Sequence, residues 1–97
     1  MRLQKVNAIV THKRRTITSG NKKQEATLQT LIPAFISDMG TTADNEQTYV
    51  IMMDTDDVTA TVNPVTDTLT DADSNTYKIM NSQKKTHHYS LRCIKVL

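Results

Sequence analysis

Apolar and polar residues alternate in short runs along most of this chain, and alternation is typical of a β-strand with one buried face. Near the N-terminus, Val6, Ala8 and Val10 fall on one face of such a strand. Farther along, Leu31 and Phe35 fall on one face of a longer run. The opposite face of that run holds Ala26, Leu28, Thr30, Ile32, Ala34 and Ile36.

Three later runs extend this pattern. Residues 48–53 are apolar on both faces, which is typical of a central strand. Shorter runs follow at 76–80 and 88–97. No segment keeps a helical apolar period, and the chain holds sixteen threonines, which favour strands. The pattern predicts an all-β fold, a small single-domain β-barrel or sandwich of about six strands with less than one-fifth helix.

Polar segments separate the predicted strands. Residues 18–21 are expected to close a hairpin between a basic strand, 12–18, and a strand starting near Lys23. Residues 37–47 predict a long polar loop, mobile in the free subunit, and 70–75 predict a tight turn between two strands. Thr55 is expected to cap one helical turn within 55–60.

The two prolines interrupt the pattern. Pro33 lies inside an apolar run and lacks an N–H, which predicts an edge strand, a bend or a bulge at that point. Pro64 predicts a further turn.

The apolar positions predict a core. It is expected to contain Leu28, Ile32, Ile36, Val50, Met52, Ile79, Leu91 and Ile94.

Length and composition limit that core. Ninety-seven residues predict one domain over 1–97. The apolar fraction is 37% and aromatic residues are scarce, so the core is thin and help from a partner or from self-assembly is expected. Cys93 is the single cysteine and stands in an apolar stretch, which favours a buried, inert thiol. No apolar run nears the roughly twenty residues that span a membrane, so a soluble domain, intracellular or carried in a virion, is expected.

Charge is segregated along the chain although the net charge is only +2. Seven basic residues and no acidic residue occur in 1–23, and ten acidic residues and no lysine or arginine occur in 25–73. The basic residues that form the candidate site are Lys13, Arg14, Arg15, Lys22 and Lys23. The acidic residues that form a candidate interface are Asp54, Asp56, Asp57, Asp71 and Asp73.

Several motifs for chemistry are incomplete. Asp71, Asp73 and Asn75 have the first spacings of a calcium loop, but its later glycine and glutamate are missing. His87 and His88 are adjacent, so in a strand their side chains point to opposite faces. No glycine-rich phosphate loop and no nucleophile motif occur. The sequence therefore predicts no metal, no cofactor and no catalysis.

The basic stretch 12–23 has three possible roles. Its charges could guard a strand edge against aggregation, contact phosphate, or contact an acidic surface on a partner. Alternation places Lys13 and Arg15 on one side and Arg14 on the other, which predicts a projecting hairpin charged on both faces.

The order of these segments resembles the small head-closure, or stopper, proteins of the head–tail connector in tailed bacteriophages. The likeness rests first on an early strand with an A-x-I type segment, Ala34 to Ile36. It continues with an apolar strand ending in an acidic turn, Tyr49 to Asp57. A hairpin of the type D-x-L-T-D…Y-x-I follows, from Asp67 to Ile79, and a last strand runs from His88 to Val96. The family often has glycine before the tyrosine of the hairpin, where this chain has Asn75 and Thr76.

The resemblance implies a barrel-like subunit that assembles into a homo-oligomeric ring, with six or twelve copies. Such a ring would dock under portal and adaptor proteins, join tail proteins and help retain packaged DNA in the virion neck, after assembly in the host cytoplasm. Other small neck or tail components, such as tail-completion or terminator proteins, remain alternatives. A stand-alone nucleic-acid-binding barrel is the alternative of another class.

Overall fold

Six β-strands make up the fold. This computed structural model describes residues 6–18 and 22–96, with side chains described except at 17, 18, 22 and 23. The strands are β1 (Ala8–Thr18), β2 (Lys22–Thr41), β3 (Gln47–Asp54), β4 (Asp67–Asp71), β5 (Thr76–Lys84) and β6 (His88–Val96). A three-residue 3-10 helix, Thr55–Asp57, follows β3. The prediction of an all-β fold is confirmed. Within the described residues, no helix has the length and apolar character needed to cross a bilayer.

The strands close into an antiparallel barrel in the order β1-β2-β3-β6-β5-β4. Strand β2 is long enough to serve two neighbours, because it pairs with β1 up to Ala34 and with β3 from Ala34 to Thr41. Neighbouring strands are antiparallel, so the turns gather at two ends of the barrel. We call the end that carries the β1–β2 hairpin the arm end. The opposite end carries the β2–β3 and β4–β5 turns.

The core lies inside the barrel, on the inward face of every strand. Of the predicted core residues, Ile32, Ile79 and Leu91 are buried. The remaining five are only half-buried: Leu28, Ile36, Val50, Met52 and Ile94. The fully buried set also contains Val10, Ala34, Ile51, Met53, Leu69 and Cys93.

The phase of β3 and of β6 explains three of these five, Val50, Met52 and Ile94. Strand β3 turns Ile51 and Met53 inward, so Val50 and Met52 face outward. Leu91 and Ile94 are three residues apart in β6 and point to opposite faces, so both could not enter the core.

A bulge near Pro33 fits one of the alternatives predicted for that residue. The β1–β2 register shifts between the pairs Val10–Ile32 and His12–Gln29. Leu31 lies in this bulge with a φ of 56° and is 76% exposed. The bulge redirects β2 without breaking the barrel.

The segment 37–47 is a hairpin, and the prediction of a long polar loop there is wrong. Strand β2 continues to Thr41 and β3 begins at Gln47. The Asp38 carboxylate accepts hydrogen bonds from the Gly40 N–H, at 2.8 Å, and from Gln47 Nε2, at 2.9 Å. Gly40 has a φ of 91°, a conformation that glycine adopts without strain. Local polar contacts therefore extend the strands through a segment that has few apolar residues.

Asp54, rather than Thr55, caps the 3-10 helix. Its carboxylate accepts a hydrogen bond from the Asp56 N–H at 2.9 Å. The chain then crosses the arm end from β3 to β4 through residues 58–66, and Val58 and Val62 are buried in the core. The crossover segment thus closes this end of the barrel, with Pro64 in the turn that leads into β4.

Candidate functional site

The β1–β2 hairpin extends beyond the barrel as a two-stranded arm. Strand β1 pairs with β4 as far as Arg14, and the Arg15 N–H donates to the Thr66 carbonyl at 2.8 Å. Farther out, the described residues of β1 and β2 pair with each other and not with β4, for example Thr16 with Gln24. We call the described residues 15–18 and 22–25 the arm. An isolated pair of strands is marginally stable in water, so a binding partner would stabilise the arm.

The predicted basic residues divide into two groups. Lys13 is half-buried and Arg15 exposed; both lie on the outer face. Arg15 pairs across the strands with Glu25, which places one acidic side chain beside this basic surface. Lys22 and Lys23 lie in β2, and their side chains fall outside the described residues.

Arg14 belongs to the barrel, and this corrects the expectation that the whole basic stretch projects. Its Nε donates to Asp67 Oδ1 at 2.8 Å and its Nη2 donates to Asp67 Oδ2 at 3.1 Å. Nη2 also donates to the Thr61 carbonyl at 2.8 Å. The hydrogen bond to Asp67 raises the pKa of Arg14. The acidic partner expected for this charge is therefore in the same chain.

Asp67 is the centre of a buried polar cluster at the base of the arm. Besides Arg14, it accepts hydrogen bonds from His12 Nε2 at 2.6 Å, the Asn63 N–H at 2.8 Å and the Thr66 hydroxyl at 2.9 Å. Burial by itself would raise the pKa of Asp67, but these hydrogen bonds outweigh burial and lower it to about 2. The carboxylate is thus held in its charged form and ties β1 to the crossover segment.

The His12 ring is fully buried in this cluster. Its Nδ1 is buried and has no hydrogen-bond partner among the described residues. A histidine beside an aspartate can serve in proton transfer, but both side chains are inaccessible here. In this geometry, His12 and Asp67 hold the arm end of the barrel together.

Gln29, opposite His12 on β2, holds the other side of the crossover segment. Its Nε2 donates to the Asp57 carbonyl, and its Oε1 accepts from the Thr59 N–H at 2.8 Å and the Thr59 hydroxyl at 3.0 Å. The polar residues of β1 and β2 therefore fasten residues 57–67 across the arm end.

Removing this amide should loosen the crossover segment. Gln29→Ala is expected to lower the free energy of unfolding by about 1–2 kcal/mol, since each hydrogen bond contributes roughly 0.5–1.5 kcal/mol. The Thr59 amide should exchange with solvent faster, as hydrogen-exchange mass spectrometry or NMR would show. Gln24→Ala, on the exposed arm, is the matched control. Unchanged exchange at Thr59 would refute the role of Gln29.

The residues of the predicted acidic interface also fall into two groups. Asp54 is buried as a helix cap. Asp71 accepts hydrogen bonds from the Asp73 N–H at 2.9 Å and the Tyr77 hydroxyl at 3.0 Å. Burial would raise the pKa of Asp71, but its hydrogen bonds, chiefly from Asn75, lower it. Asp54 and Asp71 thus stabilise turns, whereas Asp56 and Asp73 are exposed and Asp57 is half-buried.

The β4–β5 turn built on Asp71 has its left-handed residue at Ser74, with a φ of 65°. Asparagine tolerates such a conformation, but the positive φ of this turn belongs to Ser74 and not to Asn75. Asn75 instead binds Asp71 through its N–H, at 2.9 Å, and its side-chain amide, at 3.1 Å. The carboxylate of Asp71 is therefore satisfied by the turn itself.

Exposed acidic residues gather at the end opposite the arm. Asp38, Asp44 and Glu46 belong to the β2–β3 hairpin, and Asp73 belongs to the β4–β5 turn. The segregation of charge along the sequence thus becomes a partial segregation in space, with a basic arm at one end and acidic turns at the other.

Cys93 is buried, as the sequence predicted. Burial raises the pKa of its thiol to about 12, so very little thiolate exists at neutral pH. Within the described ranges, no three His, Cys, Asp or Glu side chains are placed to hold a metal ion.

The fold and site define a small closed antiparallel β-barrel with a projecting basic arm. In comparisons with known proteins, the chain matches no protein-family model, no curated protein and no solved structure.

Proposed function

We propose that this chain is a structural subunit of the head–tail connector of a tailed bacteriophage, a head-closure component that assembles into a ring. The observation that carries the proposal is the basic arm, a two-stranded extension whose described residues beyond Arg15 pair with each other and show no strand pairing with the rest of the barrel. Strand edges without a partner are ready to pair with or contact another chain, so an arm of this kind is suited to contact a neighbouring molecule.

The resemblance in the order of sequence segments supports the same proposal. It implies a small β-barrel with an Asp-based hairpin before Tyr77, and the barrel has both features. The ring would dock below the portal and adaptor and receive the tail on its other side. Its role would be to hold the packaged genome in the virion neck.

Loss of the outward-facing charges of Lys13, at the base of the arm, and of Arg15, within it, should impair this role. Lys13→Ala with Arg15→Ala should leave the fold intact, because both side chains lie on the outer face, and should reduce DNA retention in filled heads completed with the purified chain. The measurement is the DNA released from heads, scored by nuclease sensitivity. Lys84→Ala with Lys85→Ala is the matched control, since it removes two exposed charges at the β5–β6 turn.

Two outcomes would contradict the proposal. If neither the natural chain nor the variant binds filled heads, the chain is not a connector subunit. If the double variant restores retention as fully as the natural chain, the charges of Lys13 and Arg15 serve only to guard the strand edge.

A stand-alone nucleic-acid-binding barrel is the second candidate, and the outward Lys13 and Arg15 favour it. It predicts binding of duplex DNA without any connector partner. Each lost phosphate contact would then flatten the logarithmic salt dependence of binding by about one unit.

A further inference from the structure

A groove at the base of the arm has the features of a protein-binding site. It has a volume of about 500 Å³ and crosses the outside of β4, the shortest strand. Arg15 and Glu25 form one wall and Lys78 the other, with Thr68 on the floor. Val65 and Val96 also line it and are 76% and 49% exposed.

The strand register brings the cations of this surface together. Lys13 on β1 pairs with Thr68 on β4, and Thr68 pairs with Lys78 on β5. Directly paired residues share a face of the sheet, so the two lysines are on the outer face, two strand spacings or roughly 10 Å apart. The Oγ1 of Thr68 is buried between them without a hydrogen-bond partner in the described part of the chain.

These features specify the chemistry of the occupant. Exposed valines beside Arg15 and Lys78 favour a ligand with both an apolar group and carboxylates. Nucleic acid phosphates would match the cations but leave the valines without apolar contacts. A peptide segment that carries acidic side chains next to an apolar one fits both.

The β2–β3 hairpin at the opposite end of the barrel is such a segment. Its turn exposes Asp44 and Glu46, and Met39 beside it is 61% exposed. Residues 37–47 contain no lysine or arginine. On the side away from β3, residues 37–41 of β2 have no strand partner in the described structure.

We infer that this groove receives the β2–β3 hairpin of a second copy of the chain. Asp44 and Glu46 of one copy contact Arg15 and Lys78 of the next, while Met39 packs near the exposed valines. The two surfaces lie at different places on the molecule, so the contact is heterologous and repeats from copy to copy, as closed rings require. Opposite charges fix the register and oppose the wrong pairing of like ends. This inference deepens the proposed function by naming the contact within the ring.

A charge exchange tests the contact. One variant carries Arg15→Glu and Lys78→Glu, and the other carries Asp44→Lys and Glu46→Lys. The natural chain should form an oligomer that weakens at high salt, as the mass from analytical ultracentrifugation would show. Each variant alone should associate at least tenfold more weakly, and an equimolar mixture should recover the mass of the oligomer. Circular dichroism would confirm that each variant is folded.

A control has the same change in charge elsewhere. Lys84→Glu with Lys85→Glu reverses two cations at the β5–β6 turn and should assemble like the natural chain. If the groove variant assembles normally, or if the mixture of the two reversed variants stays monomeric, the hairpin is not the occupant. A groove variant that assembles normally but loses binding to a 30-base-pair DNA duplex would assign the groove to phosphates instead.

Failure of this contact is distinguishable from failure of the proposed function. A natural chain that stays monomeric alone but enters a complex with portal and adaptor proteins overturns the contact and leaves the connector role standing. A chain that self-associates through the groove but does not bind the connector supports the contact and contradicts that role.

Discussion

Replacement of Asp67 by alanine should cause one of the largest losses of stability that a single substitution can produce in this chain. The carboxylate accepts five hydrogen bonds, from His12, Arg14, Asn63 and Thr66. Its removal leaves the buried His12 ring without this partner, and a buried polar group left unsatisfied costs about 1–3 kcal/mol. The loss of the other four hydrogen bonds, at roughly 0.5–1.5 kcal/mol each, adds to this cost. The free energy of unfolding of a small domain is only about 5–15 kcal/mol in total. Urea denaturation would measure the loss.

Thr68→Ala is the matched control for Asp67→Ala. The two residues are adjacent in β4, and the buried Thr68 hydroxyl has no hydrogen-bond partner in the described structure. Its removal should change the free energy of unfolding by less than about 0.5 kcal/mol. Equal losses for the two variants would show that the cluster around Asp67 has no special role.

The contribution of Asp67 to the free energy of unfolding should depend on pH. Its pKa is about 2 in the folded chain, against an ordinary value of 3.8. A group whose pKa falls on folding stabilises the fold above its unfolded pKa, and this stabilisation is lost as the pH falls through the folded pKa. The difference in stability between the natural chain and Asp67→Ala should therefore shrink as the pH falls from about 4 to about 2.

Ile51→Ala should produce the second large effect. Ile51 is fully buried in the barrel, and truncation of a buried isoleucine costs about 2–5 kcal/mol through lost burial and the cavity left behind. The substitution should lower the midpoint of denaturation without changing the slope, because the unfolded chain exposes nearly the same surface. Chemical denaturation would measure both quantities.

Met52→Ala is the control that tests which side chains of β3 face inward and which face outward. Met52 is adjacent but half-buried on the outer face, so its truncation should cost about 1 kcal/mol, the average for point substitutions. If Met52→Ala costs more than Ile51→Ala, the assignment of inward and outward faces in β3 is wrong.

Alternation predicted the fold class because period two is a direct consequence of strand geometry. Alternation could not show which residues of β3 face inward, since residues 50–53 are apolar at every position. The choice is made by the neighbouring strands, where Ile51 pairs with Ile36 on one side and Leu91 on the other. Pairing between distant segments is not visible in a local pattern.

A local sequence pattern also could not predict the polar cluster around Asp67, although one signal for the burial of His12 existed. His12 follows Val10 by two residues, so a strand that buries Val10 also turns His12 inward. The partner of His12 lies fifty-five residues away in sequence, and nothing local distinguishes Asp67 from the other acidic residues. For the same reason, the local pattern predicts that Arg14 projects with the rest of the basic stretch.

Local polar contacts explain why one segment whose composition predicts a loop extends two strands instead. Residues 37–47 have a composition typical of a loop, yet Asp38 binds Gly40 and Gln47 and allows a tight five-residue turn at 42–46.

The candidate site itself was partly predictable from the sequence, because Lys13 and Arg15 do lie on the outer face. The groove needed Lys78 and Val65, which come from strands and turns distant in sequence.

The central claim is that this chain is a ring-forming subunit of a phage head–tail connector. The most direct measurement is the native mass of the purified chain, alone and mixed with portal and adaptor proteins. The account predicts a discrete complex that contains several copies of the chain, six or twelve, bound to the portal assembly. A chain that remains a free monomer in the mixture at every concentration would contradict the claim.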